Sequence, residues 1–148
     1  ERLAEGLGGR ATVVVSADHG QVEVPEAQRH PLRDGDSILE TLVCPPSGEP
    51  AVPVFHVRQG RENLLRKRLA DRTEGAFALL TPSDVEELRL YGPIPLSTET
   101  RKRLGTFVGI ALEPTTLEYV PPGYEPRRYP GVHGGLRPAE MRVPLVVA

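Results

Sequence analysis

The chain has 148 residues, 39% hydrophobic and 26% charged, with a formal net charge of −2. That length can bury a real core in one domain or two small ones, and the balanced charge advertises neither a nucleic-acid nor a membrane partner. One cysteine, Cys44, excludes a disulfide framework and a CxxC metal site; a lone thiol fits a reducing compartment and favours a cytoplasmic setting, leaving localisation open.

Fifteen glycines and sixteen prolines, together about a fifth of the chain, predict many turns without a disordered tract. All but two of the 18 basic residues (Lys67 and Lys102) are arginine, which reads as genome composition or a warm habitat. No apolar run reaches the roughly 18 residues of a membrane span. The chain opens without Met and closes on Val146-Val147-Ala148, an apolar strand-like run, so a fragment of a longer protein is expected.

Residues 1–5 read as a helix end stopped by glycines. Ala11 to Ser16 is a β-branched run expected to form a strand buried on both faces, running straight into Asp18-His19-Gly20. Polar residues just past a buried parallel strand are where open α/β sheets place ligands. Residues 30–50 read as loop, with His30 in a solvent-exposed turn, a short strand near Ile38–Val43, and Cys44 as a small buried hydrophobe.

Val52 to Arg58 alternates like a half-exposed strand with His56 on one face. Gly60 to Thr73 has amphipathic helical spacing, with Leu64, Leu65 and Leu69 on one side and the solvated basic face of Arg61, Arg66, Lys67 and Arg68 opposite. Ala76 to Leu80 is a strand. Thr81-Pro82-Ser83-Asp84 is a helix start, with Thr as cap, Pro in the first turn and Asp reaching back. Ser97 or Thr98 caps another helix to Leu104. Thr106 to Leu112 is a continuous apolar strand, and Thr116 to Val120 is expected to pair with it as a hairpin. A Pro, Gly, Tyr and Arg linker leads to His133-Gly134-Gly135, a helical turn at Pro138–Met141 and a last strand at Val143–Val147. Glu140 is expected to support the turn after His133. Tyr119, Tyr124 and Tyr129 read first as packing aromatics and second as the lining of a cleft near His133.

Asp supplies a hard oxygen and His a borderline nitrogen, the usual donors for Zn²⁺ or Mn²⁺. Either motif alone reads as an ordinary turn. Together they are specific. Thr12 through Gly20 resembles the strand-then-DHG signature of the alkaline phosphatase superfamily, in the branch of type I phosphodiesterases and nucleotide pyrophosphatases. Gly131 through Val146 resembles that family's C-terminal His-Gly-Gly motif with its Glu-Met turn and Val-Pro-Leu strand. The two cover about 25 residues, in the family's order. Tyr91-Gly92-Pro93 and the stretch Arg103-Leu104-Gly105 also resemble bacterial members.

The resemblance implies an α/β fold: the C-terminal part of an alkaline-phosphatase-like parallel core sheet (1–29 and 126–148) with an inserted α+β cap-like subdomain (30–125). It implies a site for two divalent metals, Zn with Mn as the alternative, with Asp18 and His19 on one ion and His133 on the other. A Ser or Thr nucleophile and further ligands would lie upstream; Glu1 and Glu5 do not fit those roles, so this chain holds no catalytic nucleophile and is expected to be inactive alone, with metal partial or absent. Arg127 and Arg128 are possible contacts to substrate phosphate, against the blander reading of a solvated pair. The implied substrate is a small phosphate ester or nucleotide. Phosphoglycerate mutase or sulfatase chemistry uses the same frame, and a non-catalytic interaction module is the contrasting reading. Oligomeric state is open.

Overall fold

The computed structural model describes residues 2–126 and 128–148. It is a mixed α/β arrangement of several small sheets. The largest has four antiparallel strands: β4 (Ser47–Glu49), β5 (Val52–Phe55), β6 (Phe77–Leu80) and β7 (Phe107–Ala111), in the order β4-β5-β7-β6. All five residues of β7 are buried. Successive strand residues point to opposite faces, so this one strand feeds two cores. Phe107 and Ala111 join Phe55, Leu32, Leu117 and the helix residues Leu65 and Leu69. Val108 and Ile110 join Val85 and Leu104 on the other side.

Helix α1 (Arg2–Leu7) opens the chain, and helix α2 (Glu62–Thr73) covers the first face, with Leu65 and Leu69 buried as their spacing predicts. Helices α3 (Pro82–Glu87) and α4 (Thr98–Arg103) cover the second. Their starts follow the sequence. Thr81 accepts from the Asp84 amide while Asp84 accepts from the Thr81 amide, and Ser97 accepts from the Thr100 amide. Each cap satisfies amides that have no partner within the first helical turn.

Strand β8 (Thr116–Tyr119) departs from expectation. It does not form a hairpin with β7; it pairs in parallel with β3 (Arg29–Leu32), register Arg29 with Thr116. The reason is topological: β5 and β6 already occupy both edges of β7. Thr115, buried, donates its hydroxyl to the Gln28 carbonyl at 2.9 Å and starts the alternative pairing. His30 therefore lies in a strand rather than in an exposed loop. Its Nε2 is buried without a partner among the described residues.

Ile38–Val43 is not a strand either; Leu39–Thr41 is a single 3-10 turn. Asp36 accepts from the Ile38 amide at 2.9 Å, and the Thr41 hydroxyl donates back to the Ile38 carbonyl at 2.6 Å. Such local bonds compete with strand ladders. Cys44 is exposed rather than buried, beyond Leu42 where the chain leaves the core.

The two flanking segments meet through β1 (Val14–Ser16) with β10 (Leu145–Val147), and β2 (Val22–Glu23) with β9 (Gly131–Val132). Both pairs are antiparallel. The expected parallel core sheet is not formed among the described residues, where β3–β8 is the one parallel pair. Nor is β1 buried: Val14 is 60% and Leu145 70% exposed. A two-stranded ribbon has no layer on either face, and neither face is covered here.

The Thr81 amide and hydroxyl hold the Asp84 carboxyl below its ordinary value. That support is present above the ordinary carboxylate range and is lost as pH falls through the lowered value. Thr81→Ala removes the hydroxyl but keeps the amide, so it should raise the Asp84 value only part of the way to the ordinary range in a carboxyl-carbon NMR titration, and should cost about 1 kcal/mol in urea unfolding; an unmoved Asp84 would refute the hydroxyl's share in the reciprocal cap. Burial, and then the Arg72 charge, push the His30 imidazole below its usual value, against an opposing pull from Glu74. The unfolded chain takes up this proton near pH 6.5 and the folded chain only lower. Stability from His30 is thus full above about pH 6.5 and declines as the pH drops below it. His30→Leu should flatten the loss of urea stability between about pH 7.5 and 5.5, and an unchanged slope would rule His30 out as its source.

Candidate functional site

The β2–β9 register, Val22 with Val132, sets His133 opposite Gln21 and so within two residues of His19. The result is direct contact between the two motifs. The His19 and His133 rings stack with centroids 3.8 Å apart and planes inclined by 20°. His19 Nδ1 lies 2.8 Å from the Gly20 carbonyl, and its Nε2 is 3.5 Å from Asp18 Oδ2. Asp18 Oδ1 accepts from the His19 amide at 3.0 Å. The Asp18 side chain is otherwise turned to solvent, 85% exposed.

Helix α5 (Pro138–Met141) packs against both motifs. The Gly20 amide donates to the Glu140 carbonyl at 2.7 Å. The Gly135 amide donates to Glu140 Oε1 at 2.9 Å, which bears out the expected support of the turn. Close approach of backbone requires glycine at position 20, whereas at position 135 the neighbour is a side-chain carboxylate. A Cβ on Gly20 would collide with the Ala139 carbonyl oxygen, and one on Gly135 would lie within 2.9 Å of both Glu140 carboxylate oxygens. The helix is in turn tied to the rest of the chain, because Arg137 donates to the Leu112 carbonyl at 3.0 Å and pairs with Glu113 at 3.2 Å.

Among the described residues no three His, Cys, Asp or Glu side chains converge as the ligands of one ion would. Asp18, His19 and His133 are brought together and are of the right donor types, but they do not by themselves close a metal site. Arg128 forms an ion pair with Glu26 at 3.3 Å, and Arg127 lies outside the described residues.

A cleft of about 340 Å³ opens beside His133. Its walls include Gln21, Arg29, Glu49, Glu118 and Tyr129. Sequence reasoning singled out Tyr129 but missed the other four. Arg29 and Glu118 stand on one face of the β3–β8 pair, and only the unexpected parallel register brings them together. The Arg29 side chain is largely buried and donates to the Val24 and Tyr129 carbonyls at 3.2 and 2.7 Å. Glu49 lies against the His-Gly-Gly turn: a Cβ on Gly134 would meet its Cγ at 2.9 Å. Tyr119 instead donates to Asp34 at 2.6 Å.

No protein-family description matches this chain, and no curated protein does. The likeness is of fold, to solved nucleotide pyrophosphatase and phosphodiesterase structures. Those of human and murine ectonucleotide pyrophosphatase/phosphodiesterase 5 match with TM-scores of 0.64 and 0.63, each at 15% identity over 99% of this chain. An inactive murine variant in complex with AMP matches at 0.62 over 98%. The chain spans only 35–37% of the length of those proteins.

Gly20→Ala should cost about 1–3 kcal/mol in denaturant unfolding, because the methyl group forces backbone apart. It should also release the Glu140 carbonyl and separate the two motif turns. A variant as stable as the parent chain would show that the close approach is not maintained in solution.

Proposed function

We propose that this chain is part of a metal-dependent phosphoric-ester hydrolase of the phosphodiesterase and nucleotide pyrophosphatase type. The observation that carries the reading is the stacking of His19 on His133, which joins two motifs from opposite ends of the chain. Rings stacked 3.8 Å apart in nearly parallel planes keep their in-plane lone pairs in separate planes, which suits ligands of two neighbouring ions better than ligands of one. In this reading two divalent metals, Zn or else Mn, are held with Asp18 and His19 on one and His133 on the other. The remaining ligands and a Ser or Thr nucleophile come from polypeptide outside these 148 residues. The fold likeness, which covers nearly all of this chain and about a third of its structural neighbours, supports that division. So does the β1–β10 ribbon, whose uncovered apolar faces are the kind of surface that another layer of a larger sheet domain buries.

Residues 30–125 act here as a cap. They supply Arg29's neighbour strand β8 and the Glu49 wall, so the cap and the His133 loop enclose the cleft between them. A cleft of this size takes a small ester or nucleotide fragment. The contrasting reading is a non-catalytic module that keeps the fold, and it shares with the first an incomplete ligand set among the described residues.

Assay of bis-p-nitrophenyl phosphate with added Zn²⁺ or Mn²⁺ separates the two. The longer polypeptide should turn over the ester, the 148-residue chain should not, and Asp18→Asn or His133→Ala should lower the rate at least about 100-fold. Full activity in both variants would reject the site. Turnover by the purified short chain would reject an external nucleophile.

A further inference from the structure

Glu140 is 3% exposed, the only acidic side chain among the described residues that is buried. Burying a carboxylate is costly unless it is hydrogen-bonded or paired. No cation pairs with it among the described residues, and its carboxylate receives one protein donor, the Gly135 amide. An apolar side chain of similar volume would fill the space without that desolvation. The carboxylate is therefore poorly explained by packing alone.

Its position explains it better. Glu140 meets one motif turn through its backbone and the other through its side chain: the Gly20 amide reaches its carbonyl, and the Gly135 amide reaches its carboxylate. The two turns come from opposite ends of the chain, and the β2–β9 ladder between them is only two residues long. So short a ladder sets direction but fixes distance weakly. Glu140 is also rooted elsewhere, because its helix begins beside Arg137, which holds the Leu112 carbonyl and Glu113.

We propose that Glu140 is a positioning residue: its carboxylate locks the His133-Gly134-Gly135 turn onto the helix that already carries the Asp18-His19-Gly20 turn, and so fixes His133 against His19. The inference rests on the two turns forming one site, as proposed above, but it needs neither metal nor activity to test. The acceptor oxygen does the work, and its reach matters. Glutamine at this position keeps the acceptor, aspartate draws it back by one methylene, and leucine removes it.

The test is made on the 148-residue chain with a chelator present, at a single pH above the imidazole range. Stacked rings shift each other's imidazole protons upfield, a signature that overall stability does not report. Glu140→Gln should retain this signature. Glu140→Leu should collapse it toward free-histidine values and speed amide exchange at Gly135 at least tenfold, while the Gly20 amide and the core amides of Phe55 and Leu65 stay protected. Glu140→Asp should weaken the signature, and it stands in for leucine should the leucine variant not fold. Retention of the full signature in the aspartate or leucine variant overturns the proposal, and so does its loss in a folded glutamine variant. Because no turnover is read, failure here leaves the hydrolase reading standing, and failure of the ester assay leaves this one standing.

Discussion

The structure depends on the saturation of strand β7. Its five residues are buried on both faces, and both of its edges are paired. A saturated strand can accept no further partner, so Thr116–Tyr119, which follows it immediately, must find another. It finds Arg29–Leu32 across a long loop closure, in parallel. That displacement has a functional consequence. It turns Leu32 and Leu117 into the core, and it turns Arg29, Thr116 and Glu118 to the opposite face of the pair, where they form one wall of the cleft beside His133. The cleft is in this sense a by-product of how the central sheet fills its edges.

The segment between β3 and β4 is held by charge as well as by apolar contact. Arg68 pairs with Glu40 at 2.9 Å and also donates to the Ser37 carbonyl; Arg72 pairs with Asp36 at 2.7 Å. Arg68 belongs to the basic face of α2 that reads as solvated in sequence, and Arg72 follows it one helical turn later. Exposed ion pairs contribute little individually, but Asp36 is nearly buried and also caps the Ile38 amide, so its pair with Arg72 fixes a turn rather than decorating a surface. Arg66 spends its charge differently, over the Phe107 ring at 4.3 Å. None of the three is positioned by these contacts as a free phosphate-binding cation.

What was legible in the sequence was local. The caps at Thr81 and Ser97 are written within four residues, and the structure forms both. The β-branched run before Asp18 and the apolar run of β7 are strands, and the buried leucines of α2 follow their spacing. The Asp-His-Gly and His-Gly-Gly turns could be joined only through resemblance, because nothing in 148 residues of linear order shows that His19 and His133 touch. What depends on sequence-distant competition was not legible. The partner of β8, the strand setting of His30 and the roles of Arg29, Glu49 and Glu118 all follow from which edge was already occupied. The burial expected for Ala11–Ser16 failed for a related reason: a strand composition records the environment a segment suits, and burial still requires a layer to pack on it.

The histidine pair sits on the part of the chain with the thinnest secondary structure. The β2–β9 ladder has two residue pairs and β1–β10 three, both with uncovered strands nearby. Short isolated ladders are marginal in water, so ring contact at 3.8 Å cannot be maintained by strand pairing alone. The additional constraint comes from α5, which fastens to both motif turns on one side and to the β7–β8 connection on the other. The same link carries geometry outward from the saturated central sheet, through Leu112 and Arg137, to the turns that bear the chemistry. The order of dependence therefore runs from sheet to helix to histidines, which places the Glu-Met turn, a modest four-residue element, between the fold and its site.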